Sequence, residues 1–230
     1  NKYEKGVYAA VGLHPTHVIE SVVEGEDYAF KATGEDFNFD AYERLAKQQK
    51  VVAIGESGLD YYHIPKEVNA VEVKRRQKEV FLRQLELARK VDKPIIIHCR
   101  QAHDDLISII KEFKKENKEL FQGDKPWGVM HCFSGDEDLA WKYFSLGLLI
   151  SFTGLITFSK QWDELIRKMP SDKFMIETDC PYMTPEPHRG KRNEPVLVNF
   201  VAQRIADIKN INYDRVAEIS TNNAKNFFSI

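Results

Sequence analysis

The stretch VEVKRRQKEVFLRQLELARKVDKPIIIHC (71–99) carries the fold reading. Val73, Val80, Leu82, Leu85, Ala88 and Val91 recur at mostly helical spacing among lysines, arginines and glutamates, the pattern of a helix lying on a sheet. Pro94 then opens a short apolar run, PIIIHC (94–99), that reads as a strand. Upstream, VVAIGE (51–56) has the same character, so strand, helix and strand follow one another as in a parallel βα unit. Working outward, four further runs match: VYAAVGL (7–13), WGVMHCF (127–133), GLLISFT (147–153) and KFMIETD (173–179). Helical periodicity occupies 39–49, 102–116, 136–146 and 160–168, with two more segments near 194–208 and 213–228. Asp136 stands where an N-cap belongs. The alternation predicts an α/β fold. Glu20 to Asn38, with Gly25, Gly34 and several acidic residues, reads as a long loop. No linker or composition break interrupts the chain, so a single domain over 1–230 is expected.

Composition narrows the function classes. With 43% hydrophobic and 30% charged residues, neither a disordered nor a collagen-like chain fits. A formal charge of −2, from 33 basic against 35 acidic residues, excludes holding nucleic acid by bulk positive charge, so any such contact is local. Cys99, Cys132 and Cys180 cannot make a disulfide framework, and their odd number predicts reduced thiols in a cytoplasmic setting. The least polar stretch, Tyr143 to Ser159, falls short of the roughly 20 apolar residues of a membrane span. No membrane partner and no obligate protein partner is expected.

Glu56, His98, His131 and Asp179 each close a different predicted strand at its C-terminal end, where α/β folds keep their chemistry. By strand alternation Val52, Ile54 and Glu56 share a face, as do Ile96 and His98, Val129 and His131, and Met175, Glu177 and Asp179. The same parity turns Cys99, Cys132 and Cys180 the other way, as small buried packing groups. Two imidazoles and two carboxylates suit Zn²⁺, Mn²⁺ or Mg²⁺, and a carboxylate bridging two such ions supports hydrolysis. His14 after the first strand and Arg100 two residues past His98 are candidates for contact with an anionic substrate. So is Arg189, with Lys191 and Arg192, because the guanidinium fork matches phosphate oxygens. Lys74, Arg75, Arg76 and Lys78 read as an exposed helix face, and His17, His63 and His103 as structural.

The blocks GLHP (12–15), GESGLDYY (55–62), IHCR (97–100), HCFSG (131–135), ETDCPYMTP (177–185), HRGKRNEP (188–195) and NNAKNFF (222–228) resemble, in order, those of the TatD-type metal-dependent deoxyribonucleases of the amidohydrolase-like barrel superfamily. The resemblance implies a TIM-type (β/α) barrel of which about six of eight strands are visible, the N-terminal βα units being expected to be missing at roughly 60 residues. Two departures accompany it: the family's opening His-x-His pair occurs nowhere in the chain, and Gln101 stands where an acidic residue usually follows HCR. It also implies two divalent metal ions, with Glu56 shared between them. His98 and His131 would hold one metal and Asp179 the other, Asp179 also taking the proton of the attacking water. The activity implied is hydrolysis of DNA phosphodiesters in the 3′-to-5′ direction. Alternatives on the same barrel are a D-aminoacyl-tRNA deacylase or another metal-dependent ester hydrolase acting on a phosphate or ester substrate. A non-catalytic scaffold would be expected to have lost the ligands that Glu56, His98, His131 and Asp179 retain.

Overall fold

Every one of the six apolar runs forms a strand in the computed structural model, which describes residues 6–24, 29–118 and 125–230. Two compact units are present, one reaching Gly128 and including the last three residues, the other spanning Val129–Phe227.

The first unit holds β1 (Ala9–Val11), β2 (Glu20–Glu24), β3 (Ala29–Thr33), α1 (Phe39–Ala46), β4 (Val51–Asp60), α2 (Ala70–Lys90), β5 (Ile95–Arg100) and α3 (His103–Glu116). β4 lies between β1 and β5 and runs parallel to both. α2 starts where the Asn69 side chain accepts hydrogen bonds from the Val71 and Glu72 amides, and its last turn carries Arg89 and Lys90 against the helix dipole. The face it turns to β4 buries Val73, Gln77, Val80, Phe81, Gln84, Leu85 and Ala88, a spacing of three and four residues. Each fully buried Phe or Leu there contributes about 1.5–3 kcal/mol relative to exposure. Along β5, Ile95, Ile97 and Cys99 are buried while Ile96, His98 and Arg100 are partly exposed, the expected alternation.

The second unit contains β7 (Leu148–Phe152) and β8 (Phe174–Ile176), which pair in parallel, with β6 (Gly128–Met130) leading into it. Its helices are α4 (Glu137–Ser145), α5 (Asp163–Lys168), α6 (Val198–Lys209) and α7 (Tyr213–Phe228). Asp136 caps α4 as expected, accepting from the Leu139 amide at 2.9 Å. Asn210 ends α6 in the left-handed conformation that asparagine tolerates. Tyr143, Phe152, Phe174, Ile205 and Val216 are fully buried in this unit. The expected α/β class is borne out. Among the described residues no helix is long and apolar enough to cross a membrane.

Three expectations are corrected. The segment read as a loop over Glu20–Asn38 contains an antiparallel pair, β2 with β3, in the register Glu20↔Thr33 to Glu24↔Ala29; residues 25–28 between them, including Gly25, lie outside the described residues. Its acidic residues and glycines masked two five-residue strands. β4 does not end at Glu56 but continues four residues further to Asp60. Between the pairs Ile54↔Ile95 and Ser57↔Ile97 it gains one residue, a bulge, so alternation counted through Ile54 fails and Glu56 aligns instead with Gly58 and Asp60. Finally, Cys99 is buried as expected, but Cys132 is only partly so and Cys180 is exposed.

Candidate metal centre

In the first unit, His14, Glu56 and His98 each offer one donor atom within 4.8 Å of the others. The Nδ1 of His98 lies 2.7 Å from Glu56 Oε1, and His14 Nε2 lies 3.4 Å from the same oxygen. The two imidazole rings meet edge to face with centroids 4.5 Å apart. Two imidazoles and a carboxylate are the donor set that Zn²⁺ or Mn²⁺ takes, so these residues fit a divalent ion.

The other nitrogen of His98, Nε2, sits 3.0 Å from Oδ2 of Asp60, whose side chain is fully buried. The same oxygen lies 2.7 Å from His63 Nδ1, while Oδ1 accepts the Tyr62 and His63 amides at 3.0 and 2.9 Å. This carboxylate holds the imidazole ring from behind, the arrangement that orients metal-ligating histidines. Sequence reasoning missed Asp60; His63, read as structural, supports that carboxylate. Asp60 lies four residues past Glu56 in β4, beyond the predicted strand end.

Two buried glutamines of α2 set the backbone on either side. Gln84 accepts from the Leu13 amide at 2.8 Å and donates to the Leu13 carbonyl at 3.0 Å, fixing the residue before His14. Gln77 accepts from the Asp60 amide and donates to the Asp60 carbonyl, both at 2.9 Å, and also donates to the Pro15 carbonyl at 3.2 Å. A side-chain amide thus pairs with each chain segment as a neighbouring strand would.

Electrostatics separate the two histidines. Burial holds His14 below the ordinary imidazole value despite its contact with Glu56, which leaves a neutral ring with a lone pair to give. Burial would lower His98 too, but its hydrogen bonds to Asp60 and Glu56 outweigh that and raise it to about 9. Burial likewise pushes Asp60 up, and its bonds to His98 and His63 overcome this and hold it well below the ordinary carboxylate range. A metal takes only the neutral imidazole, so below about 9 its binding must displace a proton from His98. Apparent affinity for Mn²⁺ or Zn²⁺ should therefore rise about tenfold per pH unit from pH 6 towards 9 and then level off. Calorimetric titration at several pH values measures this; a flat profile below pH 9 would contradict it.

In the second unit His131 follows the end of β6, and Asp179 lies three residues past β8. His131 Nδ1 is 2.6 Å from Glu177 Oε2, and its Nε2 is 3.7 Å from Asp179 Oδ1. Glu177 accepts from the Cys132 amide at 2.8 Å and from the Ser151 hydroxyl. Burial pushes the Glu177 carboxyl up, yet the nearby His131 outweighs it and holds it below its ordinary value. Glu177 thus stands to His131 as Asp60 stands to His98, a role that alternation alone did not assign. Asp179 adopts φ 54° in a loop stapled by buried Asn193, whose amide donates to the Thr178 carbonyl at 2.8 Å and to that of Tyr182. The structure thus brings Glu56 together with His98, and His131 with Asp179.

The candidate substrate residues are placed as follows. His14 joins the Glu56–His98 group. Arg100 projects from the same face of β5 as His98 and lies over the Tyr62 ring, 4.2 Å from its centroid. Arg189, exposed, lies 3.7 Å from the centroid of Phe158. The basic cluster on α2 is engaged by acids at its surface: Arg75 with Glu72 and Glu79, and Lys78 with Asp105 at 2.8 Å.

The chain is 40% identical over 228 residues to the metal-dependent hydrolase YabD of Bacillus subtilis (strain 168), covering 97% of this chain and 78% of that protein. It is 32% identical over 193 residues to a protein of Rahnella sp. (strain Y9602) named 3′-5′ ssDNA/RNA exonuclease TatD, covering 81% of this chain and 68% of that one. The crystal structure of the TatD homologue YjjV from Escherichia coli K12 matches with a TM-score of 0.78 and 27% identity, over 100% of this chain and 79% of that one. That likeness bears out the expected (β/α)-barrel type of fold. The family described as TatD related DNase matches residues 1–229, and the chain belongs to that family of metal-dependent hydrolases.

Proposed function

We propose that this protein is a metal-dependent nuclease that hydrolyses phosphodiester bonds of single-stranded nucleic acid from the 3′ end. The observation that carries the reading is the His14–Glu56–His98 cluster, whose three donors suit a hard or borderline divalent ion. The name of the Rahnella relative supports the choice of substrate. Glu56, His98, His131 and Asp179, joined by His14, are the metal ligands in this proposal, for two divalent ions drawn from Mg²⁺, Mn²⁺ and Zn²⁺. Such ions supply a lowered water pKa and stabilise charge growing on phosphoryl oxygens. The chain's own residues do the rest. Asp179 takes the proton of the attacking water on a carboxylate oxygen, and Asp60 and Glu177 fix the rings of His98 and His131. Arg100 and Arg189 contact the substrate, their guanidinium groups pairing with its phosphates.

The test uses single-stranded DNA labelled at the 5′ end, with Mg²⁺ or Mn²⁺ and with excess chelator. Progressive shortening that requires the metal is the expected result, together with loss of bound metal in His131→Ala. Intact DNA alongside rapid metal-dependent deacylation of charged tRNA would replace this reading with that of an ester hydrolase.

A further inference from the structure

Beside the His98 cluster lies an aromatic group that the chemistry above does not use. Tyr62 is 51% exposed, and the Arg100 guanidinium lies over its ring, 4.2 Å from the centroid. Neither residue is loosely attached. The Tyr62 amide donates to Asp60 Oδ1 at 3.0 Å, so the buried carboxylate that holds His98 also fixes the start of this segment. The Tyr61 amide donates to the Arg100 carbonyl at 2.9 Å, extending the β4–β5 ladder, and Arg100 is paired in register with Asp60. The His63 and Tyr62 rings stand nearly perpendicular, with centroids 4.9 Å apart. The result is a half-exposed ring with a cation over one of its faces, at the same strand ends as Glu56 and His98.

We infer that Tyr62 and Arg100 form a nucleotide subsite that selects unpaired nucleic acid, the phenol ring stacking on a base while the guanidinium holds the adjoining phosphate. The inference rests on the nuclease reading and adds the residues that set its strand preference. An aromatic face stacks on any base, and so is tolerant of sequence, but it reaches only a base that is not already stacked within a duplex. Arg supplies both a flat surface and a fork for phosphate oxygens, which suits a site where backbone and base must be held together.

The intact protein, with Ca²⁺ in place of the catalytic ion, is titrated by fluorescence anisotropy with a short single-stranded oligodeoxynucleotide and with an abasic one of equal length. Wild type should bind the base-bearing strand about 5- to 150-fold more tightly, the range expected for one stacked base. Tyr62→Ala should lose that factor on the base-bearing strand and change little on the abasic one, whereas Tyr62→Phe, which keeps the ring, should match wild type. Arg100→Ala should weaken both strands and lower the slope of log affinity against log salt by about 0.7, the value for one phosphate of a single strand. If Tyr62→Ala weakens both strands equally, or neither, while wild type still releases nucleotides with Mg²⁺ or Mn²⁺, the subsite is wrong and the nuclease reading stands. A wild type that binds neither strand and releases no nucleotide overturns both.

Discussion

Replacing Asp179 with asparagine is expected to lower metal-dependent nucleotide release by about 10²–10⁴-fold, the range for loss of a positioned general base, with the fold unchanged. Asparagine keeps the size of the side chain and tolerates the left-handed backbone at this position, φ 54°, so the variant isolates the charge. It can neither accept the proton nor offer a second anionic oxygen beside His131 Nε2, which lies 3.7 Å from Asp179 Oδ1. Asp179→Ala should be at least as inactive, with a further stability loss of about 1 kcal/mol from a non-glycine residue in this conformation. Rate constants on single-stranded DNA, metal content after dialysis and a melting curve form the full measurement. Unchanged release in Asp179→Asn would remove Asp179 from the chemistry altogether.

The second large effect concerns stability. Gly58→Ala is expected to destabilise the fold by about 3 kcal/mol or more, the upper range for forcing an extra methyl into a packed site. Gly58 has φ +150°, and a Cβ there would stand 1.9 Å from the His98 carbonyl oxygen and 2.9 Å from its carbonyl carbon. Both obstacles are backbone, so no side-chain rotation relieves them. The two strands must separate where Gly58 pairs with His98, and that separation also displaces the imidazole from Glu56 and Asp60. A fall in melting temperature of roughly 6–12 °C, or failure to recover folded protein, is the expected outcome. Gly190→Ala is the control, since Gly190 also has positive φ, +77°, but nothing lies within 4 Å of the added Cβ. Equal melting temperatures for the two variants would show that the close approach at His98 is not what makes glycine necessary.

Legibility in the sequence followed physical locality. The six apolar runs, and helices such as α2 with its Asn69 cap, were readable because burial periodicity and capping are written in neighbouring residues. His98 was readable for the same reason, as the polar residue on the partly exposed face of a regular strand. Glu56 was identified but misplaced, because Gly55 and Gly58 look like strand terminators in the sequence. In the fold they permit contact with Ile96 and His98 across a bulge. The strand reading therefore stopped short of Asp60. Asp60 and Glu177 gain their meaning only from the imidazoles opposite them, 38 and 46 residues away in the chain, a relation no local pattern encodes. The β2–β3 pair was hidden by its charged residues: Glu20 and Lys31 are an exposed ion pair at 2.9 Å, not the loop chemistry that their polarity suggested.

The two carboxamides of α2 make that helix a ruler. Gln77 and Gln84 are seven residues apart, close to two full turns, so both amides leave the same side and each meets its own peptide unit. Inserting or deleting one residue between them would swing one amide by about 100° and leave a buried peptide group without its partner. The interval from Gln77 to Gln84 should therefore admit no change in length.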